Sequence, residues 1–197
     1  LVAAIAAGVL INTAGFLQTQ AEATGQESTD LVSERIDVTS EVGIVEDSDA
    51  SYSPTTVGDN PQNLTSIRVG VSGAAGADQI DLNKTTIQAV GPNGQATLTF
   101  DQDGSSIANP GAIDEGKFAV QDSTGSYVDP SSAVLNSTNS FTLVFNTNEE
   151  PLGSGSNIYF GESDSSSLDI VSPSGATTSV ELTAPDLFST EGEAVRL

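Results

Sequence analysis

The chain opens with a segment that is apolar on nearly every side of a helix. Positions 1–17 read LVAAIAAGVLINTAGFL, in which Asn12 and Thr13 are the polar interruptions. Alanine and leucine favour helix, and no proline breaks the run. Because a helix that is apolar all round must be buried all round, we expect it to pack in lipid or among other helices. The predicted packing residues are Leu1, Val2, Ile5, Val9, Leu10, Phe16 and Leu17.

A polar stretch, QTQAEATGQESTD, follows from Gln18 to Asp30, and Gly25 within it is a candidate helix end or hinge. We expect a helix from Leu1 to about Gly25. The sequence therefore divides into a helix and neck over 1–30 and a head over 31–197.

From Leu31 onward the pattern alternates with period two and predicts short strands rich in Val, Ile, Thr and Phe. The predicted strands are 35–39, 66–71, 79–82, 86–90, 96–100, 117–121, 141–145, 157–160, 168–171 and 177–182. The GPNG sequence at Gly91–Gly94 lies between two of them and indicates a hairpin. Such spacing predicts an antiparallel sandwich or barrel, and hence an α+β chain.

The net charge of the chain limits the classes of partner that it can bind. The chain has 27 Asp and Glu against 5 Lys and Arg, a net charge of -22. Such a polyanion is repelled by nucleic acid and by anionic membrane surfaces. The same charge is typical of a disordered acidic chain or of a folded protein in molar salt, where the screening length falls to about 3 Å. The strand pattern favours the folded protein.

The residues offer little for catalysis. Cysteine and histidine are absent, so there is no thiolate or imidazole to act as nucleophile, base or metal ligand. No G-x-S-x-G or phosphate-binding glycine loop is present. We therefore expect no enzymatic activity and no cofactor.

The apolar helix alone leaves several interpretations open: a membrane anchor, an uncleaved signal segment, or one member of a bundle formed by many copies. At about 25 Å it is slightly short of a bilayer core. Small residues at positions 3, 4 and 6–8 would allow helices to approach closely. The same helix could lie in lipid first and in a bundle later.

The segment LVAAIAAGVLINTAGFLQTQAEATGQES closely resembles the amino-terminal region of haloarchaeal archaellins, the archaeal flagellins. The closing segment TTSVELTAPDLFSTEGEAVRL resembles their carboxyl end. The resemblance implies a type IV pilin-like helix in a filament core and an immunoglobulin-like β-sandwich outside it. It further implies an extracellular filament that rotates for swimming. Archaellins carry further apolar residues before the position of Leu1, so the helix length and processing site stay open.

Three N-x-[ST] sequons begin at Asn63, Asn83 and Asn136. Archaellins are commonly N-glycosylated, so the resemblance makes these asparagines candidate acceptors, and we expect all three to be accessible. Oxygen-rich stretches at 46–49 and 101–104 are weak cation candidates. In the second, Asp101 and Asp103 begin an EF-hand-like pattern whose closing Glu is missing.

These observations predict a helical homopolymer of identical or closely related subunits, with the membrane as a partner before assembly. Two rival functions stay open at this point. One is an adhesive type IV pilus subunit, and the other is a membrane-anchored extracellular binding module. The scarcity of aromatic residues, 3 Tyr, 7 Phe and no Trp, weighs against a ligand pocket in the second.

Overall fold

The structure, a computed structural model, describes residues 2–47, 62–154 and 159–197. A single long helix, α1, spans Val2–Ser33. The predicted end near Gly25 is wrong, because the helix continues through this glycine. The polar stretch is rich in good helix formers, and the Thr24 and Thr29 hydroxyls donate to the carbonyls of Gln20 and Gly25 one turn earlier. The neck is thus helical.

The head contains eleven strands within the described residues. They are β1 Ile36–Val45, β2 Leu64–Gly73, β3 Ile80–Asp81, β4 Thr86–Gly91, β5 Gly94–Phe100, β6 Lys117–Gln121, β7 Val134–Leu135, β8 Ser140–Asn146, β9 Ser165–Val171, β10 Thr177–Thr183 and β11 Ala194–Arg196. Short 3-10 turns at Leu82–Lys84, Gly104–Ser106 and Pro110–Ala112 lie between them.

Nine strands form one sheet in the order β10-β9-β4-β5-β6-β8-β2-β1-β11, and β3 pairs with β7 separately. Neighbouring strands are antiparallel except β5 and β6, whose short parallel contact joins Thr99 to Lys117 and Phe100 to Phe118. The expectation of a wholly antiparallel head therefore needs this correction. The parallel contact is the seam between two antiparallel halves, β10-β9-β4-β5 and β6-β8-β2-β1-β11.

The two halves face each other across one hydrophobic core. Ile87, Leu98 and Leu168 from the first half belong to the same buried cluster as Val69 and Phe145 from the second. The far ends of the sheet also meet. The Thr178 hydroxyl of β10 donates to the carbonyl of Ile36 in β1 at 2.6 Å. The sheet thus curls into a sandwich-like head behind a long helix, which confirms the predicted α+β class.

A second, smaller cluster covers part of the outer face of the β6-β8-β2-β1-β11 half. Ile107 and Ile113, from the segment after β5, pack on Ala119 of β6 and Val144 of β8. This segment joins the predicted strands at 96–100 and 117–121. Its two isoleucines bury their aliphatic side chains against the sheet.

Strand positions follow the predictions except at a few places. Gly91 and Gly94 close the β4–β5 hairpin, where Gly94 has φ 132° and a side chain on Gly91 would strike the Pro151 carbonyl. Of the predicted strand 157–160, positions 157 and 158 lie outside the described residues, and Tyr159 and Phe160 are not in a strand. Strands β7 and β11 were not predicted.

Candidate assembly helix and modification sites

The helix α1 is an extended surface. Its 32 residues correspond to about 48 Å at 1.5 Å per residue. Its threonines are satisfied within the helix: Thr13 donates to the Val9 carbonyl at 2.8 Å and Thr19 to the Gly15 carbonyl at 3.0 Å. These hydroxyls therefore demand no partner outside α1, and its surface over residues 2–17 is dominated by hydrocarbon.

Large apolar side chains of α1 point into open space. Their exposed fractions are Val9 60%, Leu10 70%, Ile11 74%, Phe16 66% and Leu17 59%. Because consecutive helical residues are about 100° apart, positions 9, 10 and 11 alone cover three sides of the helix. Exposed aliphatic surface of this extent marks an interaction site.

The remaining predicted packing residues lie at the start of the chain. Val2 and Ile5 lie within α1, but their side chains are not among those described, and Leu1 lies outside the described residues. Their contribution to packing stays a prediction. Ile11 was missed by the sequence interpretation, although it is the most exposed of the large apolar residues described.

The attachment of α1 to the head is made by backbone hydrogen bonds at its polar end. The Ser33 carbonyl accepts from the Asp78 amide at 2.9 Å, and the Arg35 carbonyl accepts from the Ala74 amide at 2.9 Å. These bonds join the helix end to the segment after β2. Within the described part of the chain, no helix combines the length and hydropathy that crossing a bilayer requires.

The three sequons have different surroundings. In the Asn136 sequon, the side-chain carbonyl of Asn136 accepts from the Thr138 amide and hydroxyl, both at 2.8 Å, and Thr138 is exposed. Among the described residues the Asn136 amide nitrogen has no hydrogen-bond acceptor. Asn83 is half-buried and accepts from Gln102 at 2.9 Å, and its sequon threonine, Thr85, is buried. The Asn136 sequon is therefore the more accessible of these two.

The Asn63 sequon is engaged in the fold. The Asn63 side-chain nitrogen donates to Glu46 Oε2 at 3.1 Å, and the backbone amides of Gln62 and Asn63 donate to Glu46 Oε1 at 2.5 and 3.3 Å. Glu46 is 2% exposed and Thr65 is 3% exposed. The expectation that all three sequons are accessible thus fails at Asn63, whose side-chain nitrogen donates to a buried carboxylate, and at Asn83, whose sequon threonine Thr85 is buried.

The cation candidates have other roles in the structure. Asp101 is buried, and its carboxylate accepts from the backbone amides of Asp103 and Asp114 at 3.0 and 3.3 Å, so it organises the turn that follows β5. The Asp103 side chain is exposed. Across residues 2–47, 62–154 and 159–197, no three carboxylates come close enough to hold a metal ion.

In the stretch 46–49, positions 48 and 49 lie outside the described residues. Glu46 itself is an internal hydrogen-bond acceptor and not a member of a solvated acidic loop. Its negative charge also acts on a neighbour: burial, together with Glu46 and Glu149, raises the pKa of the Tyr159 phenol. No sequence signal separates Glu46 from the other acidic loop residues.

Known proteins resemble this chain over most of its length. A model of the archaeal-type flagellins matches residues 1–182. Flagellin B1 of Natrialba magadii is 38% identical over an alignment that covers 100% of this chain and 88% of that protein. Flagellin A2 of Haloferax volcanii is 36% identical, covering 100% of this chain and 89% of that protein. The chain belongs to the archaeal-type flagellin family.

Solved structures of archaeal flagellins share the fold. The crystal structure of an archaeal flagellin from Methanocaldococcus jannaschii aligns with a TM-score of 0.58 at 18% identity, covering 82% of this chain and 94% of that one. The archaeal flagellum of Methanospirillum hungatei strain JF1 aligns with a TM-score of 0.59 at 15% identity, covering 95% and 87%. At these identities the likeness concerns the α+β architecture alone.

Family membership settles the class of function. An archaeal flagellin is a structural subunit of the archaellum filament at the cell surface, and this chain is accordingly a filament subunit and not an enzyme. The matches support neither the adhesive pilus subunit nor the membrane-anchored binding module.

Proposed function

We propose that the chain polymerises through α1 into a helical homopolymer whose core is a bundle of α1 helices from identical or closely related copies. The filament rotates outside the cell and drives swimming. The observation that carries this proposal is the exposure of Val9, Leu10, Ile11, Phe16 and Leu17 on three sides of one helix. The head already has a core without them, so their burial requires an environment outside the chain, and in the filament we assign this role to other copies.

Burial of these side chains, reckoned from their exposure to water, makes a large favourable contribution to assembly. Fully burying one large aliphatic or aromatic side chain contributes about 1.5–3 kcal/mol. The five exposed side chains together would contribute on the order of 10 kcal/mol per subunit, against which the loss of translational and rotational freedom must be set. Because each copy presents its helix to several others in a head-to-tail arrangement, the contact repeats without closing and yields a filament.

Glycines within α1 also support contacts between copies. A side chain added at Gly8, Gly15 or Gly25 would meet no described atom of the chain within 4 Å. Each glycine inside a helix costs about 1 kcal/mol relative to alanine. Since no contact among the described residues requires these glycines, the close approach of neighbouring helices is the structural reason that we assign to them.

Before assembly the apolar half of α1 must be shielded from water by something other than neighbouring copies. We propose that the membrane provides this environment. Residues 2–17 carry no charged side chain, whereas the acidic residues of α1 begin at Glu22. The apolar part would lie among lipid tails, and the acidic part would hold the head outside. Transfer from lipid to the helix bundle then exchanges one apolar environment for another.

Among the sequons, we propose Asn136 as the principal glycan acceptor. Its exposed sequon threonine and its amide nitrogen, which lacks an acceptor among the described residues, suit modification of the folded head. A glycan at Asn63 would instead displace the hydrogen bond from Asn63 to the buried carboxylate of Glu46. We therefore expect Asn63 to remain unmodified.

The test compares two charge insertions in cells whose only flagellin is this chain. Phe16→Asp places a carboxylate on α1, and Leu187→Asp places one at a head residue that is 70% exposed. We expect Phe16→Asp to abolish filaments in electron micrographs and swimming in soft agar, and Leu187→Asp to preserve both. Normal filaments with Phe16→Asp would contradict assembly through α1. If the Phe16→Asp variant lost surface attachment but still swam, the result would favour the adhesive pilus.

A further inference from the structure

Basic residues are concentrated on one outward face of the head. The chain has 5 Lys and Arg, and Arg68, Lys117 and Arg196 lie on the outer side of the β6-β8-β2-β1-β11 half. The register places Arg68 opposite Val42 of β1, and Val42 opposite Arg196 of β11. Directly opposed residues of antiparallel strands share a face, so both arginines flank Val42 about 10 Å apart. We call the surface formed by Arg68, Val42 and Arg196 the arginine face.

Carboxylates are scarce on the strands that carry the arginine face, whereas the segment that packs on Val144 brings exposed Asp114 and Glu115 to the same side of the sheet. The outward carboxylate on the strands of this half is Asp37, which pairs with Ser72 in the register and forms an ion pair with Arg35 at 3.2 Å. Glu41 lies opposite Val69, a core residue, and therefore belongs to the other side of the sheet. The strands of this half thus present a net positive outer surface on a strongly acidic protein.

The two arginines have no acidic partner within the described chain. The ion pairs among the described residues are Arg35 with Asp37 and Lys84 with Asp81. Arg68 is half-buried and its Nε is buried without a hydrogen-bond acceptor. Arg196 is exposed on the edge strand β11. In a chain with 27 Asp and Glu, neither of these neighbouring arginines forms an ion pair with a described residue.

The opposite outward face of the head carries the complementary charge. Strands β4, β5, β9 and β10 contain no Lys or Arg, and they present Asp169 and Glu181 outward. Glu181 is exposed, and Asp169 accepts from the Ser179 hydroxyl at 2.6 Å. The strands on the two sides of the sandwich therefore differ in the sign of their outward charge.

We propose that the arginine face is a head-to-head contact that receives an acidic surface of a second copy of this chain. The inference rests on the proposed filament, because it requires copies held side by side. A head-to-tail assembly joins two different surfaces of the same molecule, and the opposite outward charges of the strands on the two sides of one head meet this requirement. Apolar Val42 between the arginines adds contact area, and each arginine can bind a carboxylate with two hydrogen bonds.

Carbodiimide cross-linking tests the contact directly, since it condenses an amine with a touching carboxylate to an amide. Filaments carrying Arg68→Lys and Arg196→Lys place amines on the arginine face without changing its charge. Arg35→Lys is the matched control, because the native residue already pairs with Asp37 of its own chain. Covalent dimers would be mapped by peptide mass spectrometry in intact filaments and in dissociated subunits.

We expect links from position 68 or 196 to an acidic residue of another chain in filaments, their absence in dissociated subunits, and no intersubunit link from position 35. Two results would overturn the contact: intact filaments whose dimers are linked only at other positions, or a link from these positions to a protein other than a second copy. Neither result would affect assembly through α1. The proposed function is tested separately, by whether the Phe16→Asp variant loses its filaments or retains them.

Discussion

Truncating one exposed side chain of α1 gives a quantitative test of the filament core. Leu10 is 70% exposed in the single chain, and truncation of a buried leucine to alanine costs 2–5 kcal/mol. Since Leu10 starts partly covered, we take the lower end, about 2 kcal/mol per subunit. At 1.4 kcal/mol per factor of ten, Leu10→Ala should raise the subunit concentration required for polymerisation about 30-fold. The head should melt at an unchanged temperature, because its core does not include Leu10.

Leu187→Ala provides a close control, since Leu187 is also a leucine with 70% of its side chain exposed, but on the head. Both variants would be polymerised in molar salt over a range of concentrations and pelleted by ultracentrifugation, and the subunit left in solution would be measured. We expect Leu187→Ala to match the unsubstituted chain within a factor of about two. Equal soluble concentrations for Leu10→Ala and Leu187→Ala would refute burial of α1 among copies.

Three further predictions concern the head. Dialysis of filaments from molar to millimolar salt should dissolve them, as followed by light scattering, because screening of the -22 charge is lost; stable filaments would contradict this. Mass spectrometry should find glycan at Asn136 and none at Asn63, and Asn136→Gln should remove most of the glycan mass. Burial, with Glu115 adding repulsion, raises the pKa of Glu149. Its charged form therefore destabilises the fold near neutral pH, and this penalty disappears as the pH falls through the raised pKa. Glu149→Gln should raise the melting temperature at neutral pH, with a smaller gain in acid.

The strands were predictable where alternating apolar residues of a single strand all face the hydrophobic core. Lys117–Gln121 has the predicted bounds, and the predicted strands at 86–90 and 177–182 each extend by one residue. The strands that escaped prediction are short and take their structure from their partners. Strand β11, Ala194–Arg196, exists because Val195 lies opposite Gly43 and packs on the core. No local pattern of three residues can signal such a contact.

The candidate sites also divide into those that local sequence reveals and those that depend on distant contacts. The apolar character of α1 can be seen in the sequence, since residues 2–17 need no folded context to be apolar. The occlusion of Asn63 could not be seen, because it depends on Glu46, seventeen residues earlier and across a segment outside the described residues. A sequon is a local signal of three residues, whereas its accessibility depends on contacts made by distant parts of the chain.

The positions of charge and hydrocarbon along the chain imply that two forces act on different parts of the filament. Residues 2–17 are uncharged and supply the apolar attraction, while the head and neck carry the acidic residues and supply a repulsion that salt screens. If these contributions are independent, their free energies add. The ratio of soluble concentrations between Leu10→Ala and the unsubstituted chain should then stay near 30-fold at every salt concentration that supports filaments. Both concentrations should rise together as salt is lowered. A ratio that fell steadily towards one at low salt would show that the heads, and not the α1 bundle, limit assembly there.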